Sequence, residues 1–323
     1  MARGKQGTLP GRSPPSIPMI KPELLEQFVV KPGSKVDLKD YVTDWTETEE
    51  AEELGKDFIK ERAAEILEES RVQLDAAQEL LYASDTKSVL LVFQAMDAAG
   101  KDGTIRHVMS GVNPQGCQVF SFKKPSAEEL DHNFLWRYMK SLPERGRIGI
   151  FNRSYYEDVL VVKVHPEWLG PGQPADPGKE FWEKRYEDIN NFEKHLSRNG
   201  TLILKFFLHL SKEEQRKRFL ERLTNPEKYW KFSEADLAER EHWKDYRKAF
   251  EDALAATSTK RAPWHVIPAD RKYVARAMVA DIVTTAIQGL GLKYPEVSGE
   301  QLAKLAEARA KLEKRDKKDD SGS

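Results

Sequence analysis

The chain has 323 residues, enough for one large domain or two ordinary ones, and a third of them are charged although the net charge is only −1. That balance speaks against a nucleic-acid-binding module, which carries excess positive charge and aromatics interleaved with its basic residues. A single cysteine, Cys117, excludes an internal disulfide, no apolar run approaches a membrane span and no signal peptide is recognisable, so a cytoplasmic protein with no membrane partner is expected.

Residues 1–22 mix Gly, Pro, Ser and basic residues without periodicity and read as a flexible tail. From 46 to 82, Leu54, Phe58, Ile66, Leu67, Leu74, Leu80 and Leu81 recur at helical spacing. Ser88–Gln94 is then a continuous apolar run ending in a turn signal, the pattern of a strand covered on both faces. Similar runs follow at 117–122, 147–151, 201–208 and 264–267, with helical patterns between them. Five strands in this alternation predict an α/β fold, a three-layer sandwich with a five-stranded parallel sheet and helices on both faces, in one domain over 23–295. Residues 296–323 read as a charged helix, over 299–314, and a disordered end from Lys317.

The turn after the first strand runs Ala95-Met96-Asp97-Ala98-Ala99-Gly100-Lys101-Asp102-Gly103-Thr104. Against the phosphate-loop pattern G-x-x-x-x-G-K-[ST], Gly100 and Lys101 match, while Ala95 replaces the first Gly and Asp102 replaces Ser or Thr. Strand, small-residue loop and helix start would together aim backbone N–H groups and a positive helix end at an anion. Lys101 would neutralise phosphate oxygens, and with the hydroxyl gone Asp97 is the candidate ligand for a hard cation.

The basic residues Lys123, Lys124, Arg137, Arg145, Arg147 and Arg153 form either a polyanion track or an ordinary solvated surface. Within them, the third strand ends in the polar cluster Asn152-Arg153-Ser154-Tyr155-Tyr156-Glu157-Asp158. Strand carboxyl ends are where open α/β sheets bind ligands, so Asn152, Arg153 and Glu157 would face the crevice of Lys101; a structural Arg153–Glu157 pair is the alternative. Arg218 and Arg222 lie four apart on one helix face, and Asn225-Pro226 breaks that helix. This predicts either a helical lid over about 211–240 or a plain surface helix. His107, His165 and His209 lack zinc-ligand spacing, His132 is left without a role, and Trp243, Tyr246 and Phe250 read as core.

At Met96–Thr104, Val112-Asn-Pro-Gln-Gly116, Phe122-Lys-Lys-Pro-Ser126, Phe151–Leu160, Pro226–Ser233 and Ala262-Pro-Trp264 the chain resembles the polyphosphate kinase 2 family, over about 29–294. The resemblance implies a P-loop kinase-like fold with a helical lid. It also implies transfer of the terminal phosphoryl group of inorganic polyphosphate to a nucleotide, with Mg²⁺ as cofactor and Mn²⁺ as its substitute. Carried over, Asp97 and Lys101 fall in the Walker A-like loop with Ala98, Ala99, Gly100, Asp102, Gly103 and Thr104. Arg153 falls in the Walker B-like segment, and Arg218 and Arg222 in the lid. Many members carry Asp where this chain has Asn152, and Asn-Arg-Ser-x-Tyr-Glu is similar to the class III subgroup that accepts both AMP and ADP, giving ADP and ATP. Glu157 then becomes the compensating carboxylate, near metal or nucleotide. Lys123, Lys124 and Arg137 become candidates for a polyphosphate channel. GMP and GDP are further candidate acceptors, and family habit suggests a homodimer or homotetramer. From the residues alone, an ATP-dependent nucleotide kinase and a scaffold without turnover stay open.

Overall fold

The computed structural model describes residues 19–319, with side chains to residue 313. The strands are β1 (Ser88–Ala95), β2 (Cys117–Ser121), β3 (Ile148–Asn152), β4 (Thr201–His209) and β5 (Trp264–Pro268). All neighbours pair in parallel, in the order β2-β3-β1-β4-β5. The expected five-stranded α/β architecture is thus observed. β1 is central because every residue from Ser88 to Gln94 is buried, leaving no solvated face. Chain order reverses around β1, so the crevice at its carboxyl end is the topological switch point.

Strand alternation splits the core in two. Val89, Leu91 and Phe93 face one side, with α1 (Lys56–Ser84), α2 (Lys101–Val108) and the late helix Lys272–Gln288. Leu90 and Val92 face the other, with α3 (Lys179–Arg198) and the helix Trp243–Thr257. Between β4 and β5 come α4 (Lys212–Thr224), a 3₁₀ segment (Pro226–Lys231), α5 (Glu234–Glu241) and α6 (Trp243–Thr257); α7 is Lys272–Gln288. The segment 211–240 therefore consists of helices with a break at Asn225-Pro226. Asn225 caps the 3₁₀ turn, its side chain accepting from the Glu227 amide. No helix among the described residues is long and apolar enough to cross a membrane.

Three boundaries differ from the sequence reading. Met19 and Ile20, assigned to the tail, donate their amides to the buried Asp281 carboxylate, each at 3.0 Å; residues 1–18 lie outside the described part. The helical stretch 46–82 is broken at Gly55, whose φ of 81° ends one helix at Leu54 and starts α1 at Lys56. The compact unit ends at Leu292, and α8 (Gly299–Asp319), in the second unit, keeps a helical backbone past Lys317. Residues 320–323 are outside the description. In the Val112–Gly116 stretch a side chain at Gly116 would place its Cβ 1.5 Å from Gln78 Nε2, so any larger residue there would have to displace the buried Gln78 side chain.

One charged pair is fully enclosed. Lys205 on β4 donates to Glu193 (2.8 Å), the Tyr156 hydroxyl (2.9 Å) and the Thr257 carbonyl (2.7 Å). Tyr155 and Tyr156 both donate to the same Glu193 carboxylate. Burial pushes the Lys205 ammonium down, and Glu193 opposes it. Glu193→Ala removes that counter-charge and strands Lys205 in the core. Urea unfolding is expected to show a loss of about 3–5 kcal/mol; a loss under ~1 kcal/mol would mean that Lys205 is neutral or finds other partners.

Candidate active site at the carboxyl end of β1

The loop leaves β1 and turns sharply. Ala98 has φ 61° and Gly100 φ 99°, so Ala98 is held in a left-handed conformation that costs an alanine about 1 kcal/mol. Ala95 keeps φ negative, which is why glycine is dispensable there. The holding comes from α4. Gln215 Nε2 donates to the Asp97 carbonyl at 3.0 Å, and Arg218 Nη1 donates to the Ala98 and Ala99 carbonyls at 3.0 and 2.9 Å. Three consecutive carbonyls are drawn to one helix face. Of the amides from 97 to 101, that of Ala99 donates back to the Met96 carbonyl, and the rest meet no acceptor among the described residues. The loop is therefore an array of free donors ahead of the α2 terminus, the arrangement that binds phosphate. Lys101 Nζ lies 3.2 Å from the Ala95 carbonyl. Its pKa is lowered by burial and by Arg153, against the pull of Asp97, Glu157 and Asp102.

The second motif meets the loop from β3. Arg153 also has a left-handed backbone, φ 63°, and its amide donates to the Phe93 carbonyl at 3.1 Å. Its guanidinium bridges Asp97 at 3.2 Å and Glu157 at 3.5 Å. Glu157, then Asp97, hold it charged against the cost of burial. The structural pair and the shared crevice, posed as alternatives by the sequence, are both present. Asn152 is buried and donates its side-chain amide to the Asp102 carboxylate. The two departures from the standard motifs are therefore one exchange: the carboxylate sits at 102 and the donor at 152. A carboxylate at both positions would set two like charges in contact.

Other assigned residues separate. Arg218 is 5 % exposed and its remaining donors go to Glu214 (2.9 Å) and the Ala269 and Asp270 carbonyls (2.7 and 3.1 Å). With five N–H groups on five acceptors it is occupied as a strut, not free to cover a transferred phosphate. Arg222 binds Asp236 (3.0 Å) and the Lys231 carbonyl (3.2 Å) within the lid. Arg137 is buried, donates to the Lys123 carbonyl and the Tyr138 hydroxyl, lies 4.7 Å from the Tyr138 ring centre, and lines a separate cavity of about 400 Å³ with His132, Phe134 and Asp158, away from the loop. Lys123 and Lys124 are exposed; Thr104 is buried, and Gly103 lies in the first turn of α2. His132 stacks on Trp136 at 3.8 Å.

A cavity of about 250 Å³ opens beside Asp97, Arg153 and Glu157, walled by Trp168, Trp243 and Tyr246. The last two pack on the core as expected but also present surface to the cavity. Trp168, Gln215, Asp236 and Glu239 escaped the sequence reading, since only the fold brings them here. Asp236 is raised by burial and by Asp97, with Arg222 opposing.

The sequence profile of Polyphosphate kinase 2 (PPK2) matches residues 58–293. The chain belongs to the polyphosphate kinase 2 family. It is 52% identical over 290 residues to an ADP-polyphosphate phosphotransferase of Rhodopseudomonas palustris, covering 89% of this chain and 98% of that protein. It is 45% identical over 272 residues to an AMP/ADP-polyphosphate phosphotransferase of Meiothermus ruber, covering 84% and 96%. The crystal structure of polyphosphate kinase 2 from Arthrobacter aurescens TC1 superposes with a TM-score of 0.77 at 39% identity, covering 88% of this chain and 95% of that one.

Phosphoryl transfer in such a kinase is mainly positioning and charge neutralisation. No group of three metal-ligating side chains occurs among the described residues. A Mg²⁺ ion, which keeps several waters and takes one or two carboxylates plus substrate phosphates, would ask for a carboxylate oxygen left open by the protein. Asp97 fits: its Oδ1 meets Arg153, and its Oδ2 has no protein partner among the described residues. Gln215 acts as a positioning residue through the loop. Gln215→Glu keeps the side chain's shape but turns an acceptor toward the Asp97 carbonyl. We expect kcat to fall about tenfold, the scale of one lost hydrogen bond with an unpaired buried carbonyl. Nucleotide KM should stay close to the parent value while Tm falls by a few degrees, and an unchanged kcat would show that the loop holds its own shape.

Proposed function

We propose that this family member transfers the terminal phosphoryl group of inorganic polyphosphate to AMP and to ADP, giving ADP and then ATP. The observation that carries the reading is the free-amide loop with Lys101, set against the Asp97–Arg153–Glu157 bridge at the edge of an aromatic-walled cavity. An oxygen of the acceptor's terminal phosphate attacks the last phosphorus of the chain. The bridging P–O bond breaks, and the shortened polyphosphate keeps the electron pair. The acceptor is already ionised, so no strong base is needed. Lys101 and the loop amides hold donor phosphates. Arg153, fixed by two carboxylates, stands where charge spreads in the transition state. Asp97 would hold Mg²⁺, or Mn²⁺ in its place, which supplies charge neutralisation between the phosphates. Asn152 and Asp102 set the floor of the site, and Arg222 orders the lid. Lys123 and Lys124 are exposed after β2 and offer one of the possible courses for the rest of the polyphosphate chain. The acceptor pair is supported by the Asn152-Arg153-Ser154 motif together with the relatives' names, one specifying ADP and one AMP/ADP. GMP and GDP acceptance and a homodimeric or homotetrameric state belong to the same proposal.

Product analysis decides it. With polyphosphate and Mg²⁺ the only additions, AMP should give ADP and ATP, and ADP should give ATP. GMP and GDP are tested beside them. Absence of any nucleotide product without added ATP would point instead to an ATP-dependent kinase. Lys101→Ala should abolish turnover with the Tm nearly unchanged. Polyphosphate is a polyanion, so its apparent KM should rise steeply between 50 and 200 mM salt, as for nucleic-acid backbones; a flat profile would show that charge is not the main source of affinity.

A further inference from the structure

The seam where α2 packs on α7 carries positive charge that the protein leaves unneutralised. Gly103 and Arg106 are three apart on α2, and Lys272 and Arg276 four apart on α7, so each pair shares a face. Arg276 Nη2 lies 3.6 Å from where a Cβ on Gly103 would stand, which puts its guanidinium across the first turn of α2. Its Nε is buried and has no hydrogen-bond partner. Arg106, Lys272 and Arg276 form no ion pair among the described residues, whereas Arg62, Arg71, Arg216 and Arg247 each have a carboxylate. Arg276 is pushed down by burial and then by Arg106 and Arg218, with no acid opposing. Lys272 is pushed down by burial, Arg218 and Lys228, with Glu221 and Glu214 offsetting part of it.

Crowded like charges and an orphaned buried donor both cost stability in the free protein. A ligand with closely spaced negative charges relieves both. The seam starts at the free amides of the loop and descends the outside of the sheet on the β5 side. We propose that Arg106, Lys272 and Arg276 form a polyphosphate subsite, receiving donor-chain phosphates remote from the one transferred. This rests on the polyphosphate reading above and adds a direction to it. The chain leaves over the α2–α7 seam, not over Lys123 and Lys124, which follow β2 at the opposite sheet edge and show no comparable crowding.

The test is an Arg106→Gln/Arg276→Gln double variant against a Lys123→Gln/Lys124→Gln comparator, with nucleotide saturating. The seam variant should raise the KM for long-chain polyphosphate by roughly tenfold and cut the log–log salt slope by about 0.7–1 per cation removed. KM for tripolyphosphate should rise much less than that for the long chain, because a short chain reaches only the head of the seam, and nucleotide KM and kcat should stay within about twofold. Its Tm should hold or rise, since repulsion is relieved; a structural role would lower it. A long-chain KM unchanged in the seam variant, a shift equal for short and long chains, or a shift confined to the comparator would each overturn the subsite. Calorimetric titration of long-chain polyphosphate reads the same contrast without turnover. An inactive parent that still binds the long chain through the seam would defeat the phosphotransfer reading and leave the subsite standing.

Discussion

Five N–H groups of one guanidinium meet five acceptors drawn from three parts of the chain. Arg218 takes Glu214 on its own helix, the carbonyls of Ala98 and Ala99 in the loop, and those of Ala269 and Asp270 after β5. Burying an arginine is expensive unless all of its donors are met. Here they are met by backbone groups whose direction then becomes fixed. A peptide unit whose carbonyl is captured on one side presents its N–H on the other, so capture of the Asp97 and Ala99 carbonyls by Gln215 and Arg218 turns the amides of Ala98 and Gly100 outward as donors, in a loop lacking the first glycine of the usual pattern. The strain at Ala98 persists because these contacts over-determine it.

The same contacts bear on what moves. The base of α4 is bound to the loop, and the Ser211 amide ties its start to Asp270. Gln215 also accepts from Arg240 of α5, so the second lid helix is linked to the loop through one side chain. A rigid swing of the whole lid would have to break these bonds together. Among the described residues, the exposed 3₁₀ turn with Tyr229 and Trp230 makes no hydrogen bond to the sheet. On the proposed function, closure of this segment would run through its tip and not its base.

The strands, the loop and the lid break were legible because each is a local pattern: an apolar run, small residues before Gly-Lys, Asn-Pro after a helix. What was not legible lies in pairings across distance. Arg218 read as a phosphate-gripping arginine because sequence displays its charge and not the carbonyls, up to 120 residues away, that absorb it. Arg137 was assigned to a channel for the same reason, and its ring contacts and the Lys123 carbonyl appear only in three dimensions. That Asp102, in place of the loop hydroxyl, meets Asn152 fifty residues on is likewise a pairing the sequence does not display, and through it each departure answers the other.

That exchange leaves the site with a definite asymmetry. Asp97, Glu157, Asp236 and Glu239 gather around the aromatic cavity, while Lys101, the loop amides and the α2–α7 seam lie toward the donor side. An acceptor phosphate approaching the acidic cluster meets repulsion that Arg153 alone cannot cancel, being already shared between two carboxylates. On the proposed reaction, acceptor entry would call for a counter-ion carried with the nucleotide, and the open oxygen of Asp97 would receive it. Donor entry needs none, because its side of the site is already positive. On the proposed reaction, the two phosphate substrates are told apart by charge before any base is read.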